Sequence, residues 1–262
     1  LRGNYRGRVR GSGSDVWKKV GGVWTLLWQS EIEPIQALAA DLDGDGRPEI
    51  VHVLAMDKTG SGASSRGQFG GDLYKFDGLL ILDGATGAEK RRIRLPVYWT
   101  SWLTIADLDG DGSPEFVWNT QGRVYAVGTD GRIRWTYAFI PGHLGIDPGA
   151  YSGTANVQVY DLDGDGVPEV VTNSHSEIVV LNGRTGAVRA SHPSSGLHGG
   201  YYTGHDVQLV DADADGHVDI VATNVSGPDR LSYLMLRGAP NDWLPGPAIH
   251  PQVNFVNGDF SG

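Results

Sequence analysis

Cysteine is absent from the 262 residues, so no disulfide, thiolate metal site or cysteine nucleophile belongs to this chain. Apolar runs are short, and none approaches the roughly 20 residues of a membrane-spanning helix. No signal-peptide layout is visible. The chain opens on Leu1 rather than Met, which leads us to expect a processed chain or an excerpt of a longer one. Basic residues form no stripe, which argues against a nucleic-acid partner. There is no Gly-x-Ser-x-Gly elbow and no phosphate-binding P-loop. The histidines, among them His143, His192, His198 and His205, have neither His-x-x-x-His nor His-x-His spacing and read as ordinary loop residues. No long segment repeats its apolar residues every 3.6 positions, so little helix is expected.

What the chain does have is one acidic loop in four copies. They run from Asp41 to Glu49, Asp107 to Glu115, Asp161 to Glu169 and Asp211 to Asp219. The first three read Asp-Leu-Asp-Gly-Asp-Gly-x-Pro-Glu; the fourth has Ala214 and Val218 where the others have Gly and Pro, and ends on Asp219. The loops hold 16 of the 31 acidic residues, leaving 15 against 21 Lys and Arg in the whole chain. The net charge of -10 is therefore charge of the loops, and four divalent cations would bring it to -2. Without a cation, each loop is expected to crowd negative charge into one turn and loosen the fold by repulsion.

Carboxylates at positions 1, 3, 5 and 9 of a tight loop can converge on one hard cation. Calcium takes six to eight oxygens at roughly 2.3–2.6 Å. The predicted ligands are Asp41, Asp43, Asp45 and Glu49; Asp107, Asp109, Asp111 and Glu115; Asp161, Asp163, Asp165 and Glu169; and Asp211, Asp213, Asp215 and Asp219. The main-chain carbonyls of Arg47, Ser113, Val167 and His217 are further candidates at position 7. Gly at position 6 allows a sharp turn. All-oxygen donors disfavour zinc, and magnesium demands stricter octahedral geometry. About four Ca2+ ions are thus expected. The loop departs from an EF-hand at position 12, where His52, Trp118, Thr172 and Ala222 replace the bidentate Glu. Its flanks are short apolar and β-branched runs, so each loop should join two strands.

The loops start at 41, 107, 161 and 211, a spacing that suits propeller blades with variable loops. After each of the first three comes a hairpin with a Gly-bearing turn: Asp83 to Gly87, Gly128 to Gly131, and Asn182 to Gly186. Leu231 to Leu236 reads as a third strand, and Val16 to Trp28 as an outer hairpin turning at Gly21-Gly22. The predicted fold is all-β: a β-propeller of four-stranded antiparallel blades, about five of them or part of a larger ring. Residues 1–237 would form the blades, and 238–262 a closing segment or a linker to a further domain.

The pattern Asp-Leu-Asp-Gly-Asp-Gly-x-Pro-Glu-Ile/Val-Val resembles the FG-GAP/VCBS repeat family, the β-propellers related to the integrin α-subunit head, over about Val16 to Leu236. The Gly-Ala-Pro that usually follows the second strand in integrins is missing after Val221, which likens the chain to the bacterial variety. Trp28 and Trp135, with their Asp-Gly or Thr-Gly turns, are also similar to quinoprotein propellers. The resemblance implies an extracellular or cell-surface location and calcium loops gathered on one face. The opposite face would then take a protein or glycan partner through Tyr98, Trp99, Trp102, His143, Tyr151, Tyr201 and Tyr202. Packing of Trp99 and Trp102 between blades is the alternative. Three functions stay open: a binding, adhesion or scaffold module without catalysis; a calcium-dependent polysaccharide lyase or other sugar-active enzyme; and a structural subunit of a surface assembly. The lyase would need Lys or Arg beside the cation, and within the loops only Arg47 is basic.

Overall fold

The computed structural model describes residues 14–32, 34, 36–55, 74–94, 99–100, 102–120, 122–139, 156–174, 177–193, 207–225 and 231–237. Among them there is no helix. The hairpin of β1 (Ser14–Val20) and β2 (Val23–Ser30) comes first. A second sheet follows in sequence order: β3 (Gln36–Ala40), β4 (Glu49–Ala55), β5 (Tyr74–Asp83) and β6 (Glu89–Ile93), with short β7 (Trp99–Thr100) paired to the start of β5. The third contains β8 (Thr104–Ala106), β9 (Glu115–Thr120), β10 (Arg123–Gly128) and β11 (Ile133–Ala138). The fourth contains β12 (Val157–Tyr160), β13 (Glu169–Asn173), β14 (Glu177–Asn182) and β15 (Val188–Pro193). In the last, β16 (Val207–Val210), β17 (Asp219–Val225) and β18 (Leu231–Leu236) pair in turn. All pairings are antiparallel, and each acidic loop joins the first two strands of its sheet, as expected from its flanks.

The sheets are held face to face by the two-residue period of a strand. The apolar pair after each acidic loop divides between two cores. Ile50 packs with Val16 of the first hairpin, whereas Val51 packs with Phe116 and Trp118 of the third sheet. Phe116 faces back to the second sheet, and Val117 faces forward to Val157 and Val170. Val170 and Val171 repeat the division, the latter meeting Leu209 and Ile220. Every core cluster thus lies between consecutive sheets, which is the blade-on-blade stacking of a propeller. Ring closure is not seen among the described residues.

Polar ties reinforce the stack. The buried Gln36 side chain both donates to the carbonyl and accepts from the N–H of Leu103, and Asn156 does the same to Val207. Thr104 donates to the Val157 carbonyl. Each first strand is thereby fixed to the next one. At the outer edge Trp28 Nε1 donates to the Gly84 carbonyl at 3.0 Å and Trp135 Nε1 to that of Gly183 at 2.6 Å. Gly84 and Gly183 also lie against their own sheets' acidic loops, where a Cβ would come within 2.1 Å of the Pro48 carbonyl and 2.3 Å of the Pro168 carbonyl. Outer hairpin turns and acidic loops therefore share one end of the stack.

Candidate metal centres

Each loop is shaped by its own acids. The position-1 carboxylate accepts from backbone N–H groups on both oxygens: Asp41 from Gly44 and Gly46, Asp107 from Gly110 and Gly112, Asp161 from Gly164 and Gly166. Asp211 binds the N–H groups of Asp215 and Gly216. The position-9 carboxylate is the first residue of the second strand and is buried, with Glu49 2%, Glu115 3%, Glu169 1% and Asp219 0% exposed. One of its oxygens accepts the N–H of position 2: Leu42, Leu108, Leu162 or Ala212.

Three carboxylates per loop converge. Asp41, Asp43 and Glu49 each offer an oxygen, all within 4.8 Å of one another, as do Asp107, Asp109 and Glu115; Asp161, Asp163 and Glu169; and Asp211, Asp213 and Asp219. The position-5 residues Asp45, Asp111, Asp165 and Asp215 are exposed and fall outside these groups. Their Oδ1 atoms instead accept the N–H groups of Arg47, Ser113, Val167 and His217, which fixes the position-7 backbone. Position 12 is interior: His52, Trp118, Thr172 and Ala222 are all buried in the second strand. The missing twelfth ligand of the EF-hand is thus a core residue here.

The donor set fits a hard divalent cation. All converging atoms are carboxylate oxygens. Glu169 Oε1 is buried and accepts no hydrogen bond, with the Arg189 Nε 3.3 Å away as its ion-pair neighbour. Burial, with Asp109 and Asp111 nearby, raises the pKa of Glu115, and burial raises that of Glu169. A cation among them would offset both the lost hydration and the repulsion.

Sequence reading missed a basic side chain that arrives from the outer strand. Between β5 and β6 the register jumps from Leu82–Glu89 to Ile81–Arg91, so Lys90 is skipped. The same jump skips Arg134 between β10 and β11 and Arg189 between β14 and β15. Such a bulge re-aims the extra residue. Lys90 Nζ lies 2.7 Å from both Asp43 Oδ2 and Glu49 Oε1. Hydrogen bonding to Lys90 holds the Asp43 carboxyl below its usual range and raises Lys90 itself. Arg189 pairs with Asp163, with Asp165 at 2.9 Å and with Glu169 at 3.3 Å. Arg134 is 3.9 Å from Glu115, and 3.2 Å from Asp130 in its own hairpin turn. In the fourth loop Arg237, just past β18, reaches Asp213 at 3.3 Å. Side-chain cations thus offset part of the charge in the first, third and fourth loops, a compensation the sequence reading did not count. The one sequence signal was a Lys or Arg three residues beyond the glycine that ends each of these outer turns.

Of the residues expected on the opposite face, Trp102 is 41% exposed and precedes β8 at the end of that strand remote from Asp107. Trp99 lies in β7, paired with Lys75. Tyr98, His143, Tyr151, Tyr201 and Tyr202 lie outside the described residues, as do residues 56–72 and 238–262.

A family model described as an FG-GAP-like repeat matches residues 107–172 and 161–222. These segments are FG-GAP-like repeats. Each match begins at an acidic loop and ends in the strand after the next one, and residues 41–55 repeat the same loop and strand outside the matched range. No curated protein matches the chain. Solved structures similar to it include rhamnogalacturonan lyase YesW, at 21% identity over 89% of this chain and 43% of that one, with a TM-score of 0.52. The V. cholerae biofilm matrix protein Bap1 is similar at 18% identity over 94% and 36%, with a TM-score of 0.50. Saccharomyces cerevisiae Sqt1 is similar at 13% identity over 93% and 61%, with a TM-score of 0.51. The chain spans less than two thirds of each. At such identities the likeness concerns the fold, which is that of β-propeller proteins.

Proposed function

We propose that the chain is a calcium-stabilised propeller module of an extracellular or cell-surface protein, acting as a binding or scaffold element without catalysis of its own. The observation that carries this reading is the recurrence of one three-carboxylate group at the same strand junction in four successive sheets. A catalytic centre has no reason to recur in this way, whereas a stabilising ion has one in every blade. Calcium is favoured by the all-oxygen donors and by loops that supply carboxylates from one short turn. The FG-GAP-like repeats support an extracellular setting, which is typical of them. The partner is a protein or glycan on the face remote from the loops, where Trp102 stands exposed.

The test is thermal unfolding with calcium and with chelator. An ion that binds only the folded state stabilises it by about 2.7 kcal/mol per site at a hundredfold excess over Kd. Several degrees of upward shift with calcium is the expected result; a shift of a degree or less would defeat the reading.

A polysaccharide lyase is the second reading, favoured by Lys90 and Arg189 beside the acidic loops. Both are engaged by carboxylates, which argues against their acting on a uronate. Turnover of acidic polysaccharide, lost on chelation, would establish the lyase.

A further inference from the structure

We propose that Lys90 and Arg189 are internal counter-cations that set the metal affinity of their loops, so that the second loop loads at lower calcium concentration than the first and third. The proposal rests on the calcium reading above and concerns how those sites are regulated.

The bulge in each outer hairpin delivers one basic side chain to the acidic loop of its own sheet. In the first loop the Lys90 ammonium bridges two of the three converging carboxylates, Asp43 and Glu49, at 2.7 Å each. In the third, the Arg189 guanidinium spans Asp163, Asp165 and Glu169. Asp43, Glu49, Asp163 and Glu169 belong to the converging groups that would hold a divalent ion. An ion entering either loop must take lone pairs from the side-chain cation and then lie beside its positive charge, at a separation where Coulomb repulsion is strong. The side chain has to withdraw, and both Lys90 and Arg189, at 34% and 33% exposed, have solvent to withdraw into.

The second loop differs. Asp130, in the turn of the same hairpin, draws Arg134 to 3.2 Å and leaves it 3.9 Å from Glu115. Arg134 forms no ion pair with Asp107 or Asp109, so this group receives the least compensation from its bulged residue. Asp130 thus acts as a decoy that draws Arg134 off the carboxylates of the second loop, where Arg184 of the next sheet's turn reaches only the Asp109 main-chain carbonyl, at 2.7 Å.

The experiment is calorimetric calcium titration of the chain and of Lys90→Met, Arg189→Met, the double variant and Asp130→Asn, with folding checked by circular dichroism. The wild type should bind in two classes. Each single substitution should raise affinity at one weak site by on the order of tenfold, and the double variant should bring the first and third sites to the affinity of the second. Asp130→Asn should do the opposite, releasing Arg134 onto Glu115 and weakening the tight second site. This exposed-turn substitution keeps the proposal testable even where the other variants fold poorly. Isotherms unchanged by Lys90→Met, Arg189→Met and Asp130→Asn, in a chain that does bind calcium, would overturn the counter-cation proposal alone. A wild type that binds no calcium would remove the calcium reading itself, and the proposal with it.

Discussion

Single side chains carry strain and charge that can be read out separately. Ala214 has φ +61°, the only positive value for a non-glycine among the described residues, and it takes the place of Gly44, Gly110 and Gly164 at φ +75°, +76° and +75°. The left-handed conformation brings a Cβ too close to the following carbonyl. Ala214→Gly is expected to stabilise the fold by about 1 kcal/mol, after the greater freedom of glycine in the unfolded chain is subtracted. Urea unfolding in calcium would measure it, and a loss of stability would mean that the loop tolerates Ala without strain. His52 is a second case. It is fully buried on β4, and its Nε2 meets Ser14 Oγ at 3.1 Å. Burial pushes its pKa from 6.5 down to about 4. Below pH 6.5 the unfolded chain takes up a proton that the folded one refuses, so stability falls as pH drops towards about 4 and is unaffected above that window. At pH 5 the loss is about 2 kcal/mol. His52→Gln should flatten the slope; unfolding curves at pH 7 and pH 5 that change equally in both proteins would place the acid sensitivity elsewhere.

At the scale of elements, the outer hairpins decide how blades join. The bulge that turns Lys90, Arg134 and Arg189 towards the acidic loops also sets the residue after each one. In the third sheet that residue is Trp135, in the second it is Arg91, and in the first hairpin Trp28 follows the skipped Leu27. Trp28 and Trp135 donate to the next sheet's turn at Gly84 and Gly183, and Arg91 Nη1 donates to the Thr129 carbonyl at 2.7 Å. The Trp135 ring also rests on Gly186, where a Cβ would approach to 2.7 Å at φ +69°. Trp135→Phe should cost about 1 kcal/mol through the lost hydrogen bond. Gly186→Ala should cost more, roughly 2 kcal/mol or above, because the ring must shift and the backbone is strained. Equal losses in the two variants by chemical denaturation would show that ring contact adds nothing. The strands themselves were legible in sequence: the hairpin expected over Val16–Trp28 spans β1 and β2, and Leu231–Leu236 is β18 itself. The bulges were not. Alternation of apolar and polar residues tells which face a residue prefers, but not which of two adjacent residues is skipped when the register slips.

For the whole molecule, charge is the quantity that calcium changes. The chain carries -10, with 16 of its 31 acids in the loops, so four divalent ions would leave -2. Electrophoretic mobility towards the anode should therefore drop sharply in calcium relative to chelator, at little change in size. Unchanged mobility would mean that the loops stay empty or that protons and monovalent ions already balance them. The amino-acid order by itself determined the repeat of the blades, the strand junctions and the acids that could gather, because each is a local pattern repeated along the chain. Which three carboxylates meet, which cation from the outer strand reaches them and which sheet backs which core were decided only by tertiary structure. These depend on atoms brought together by a register slip and by stacking of sheets, across separations of about forty to seventy residues that no local pattern encodes.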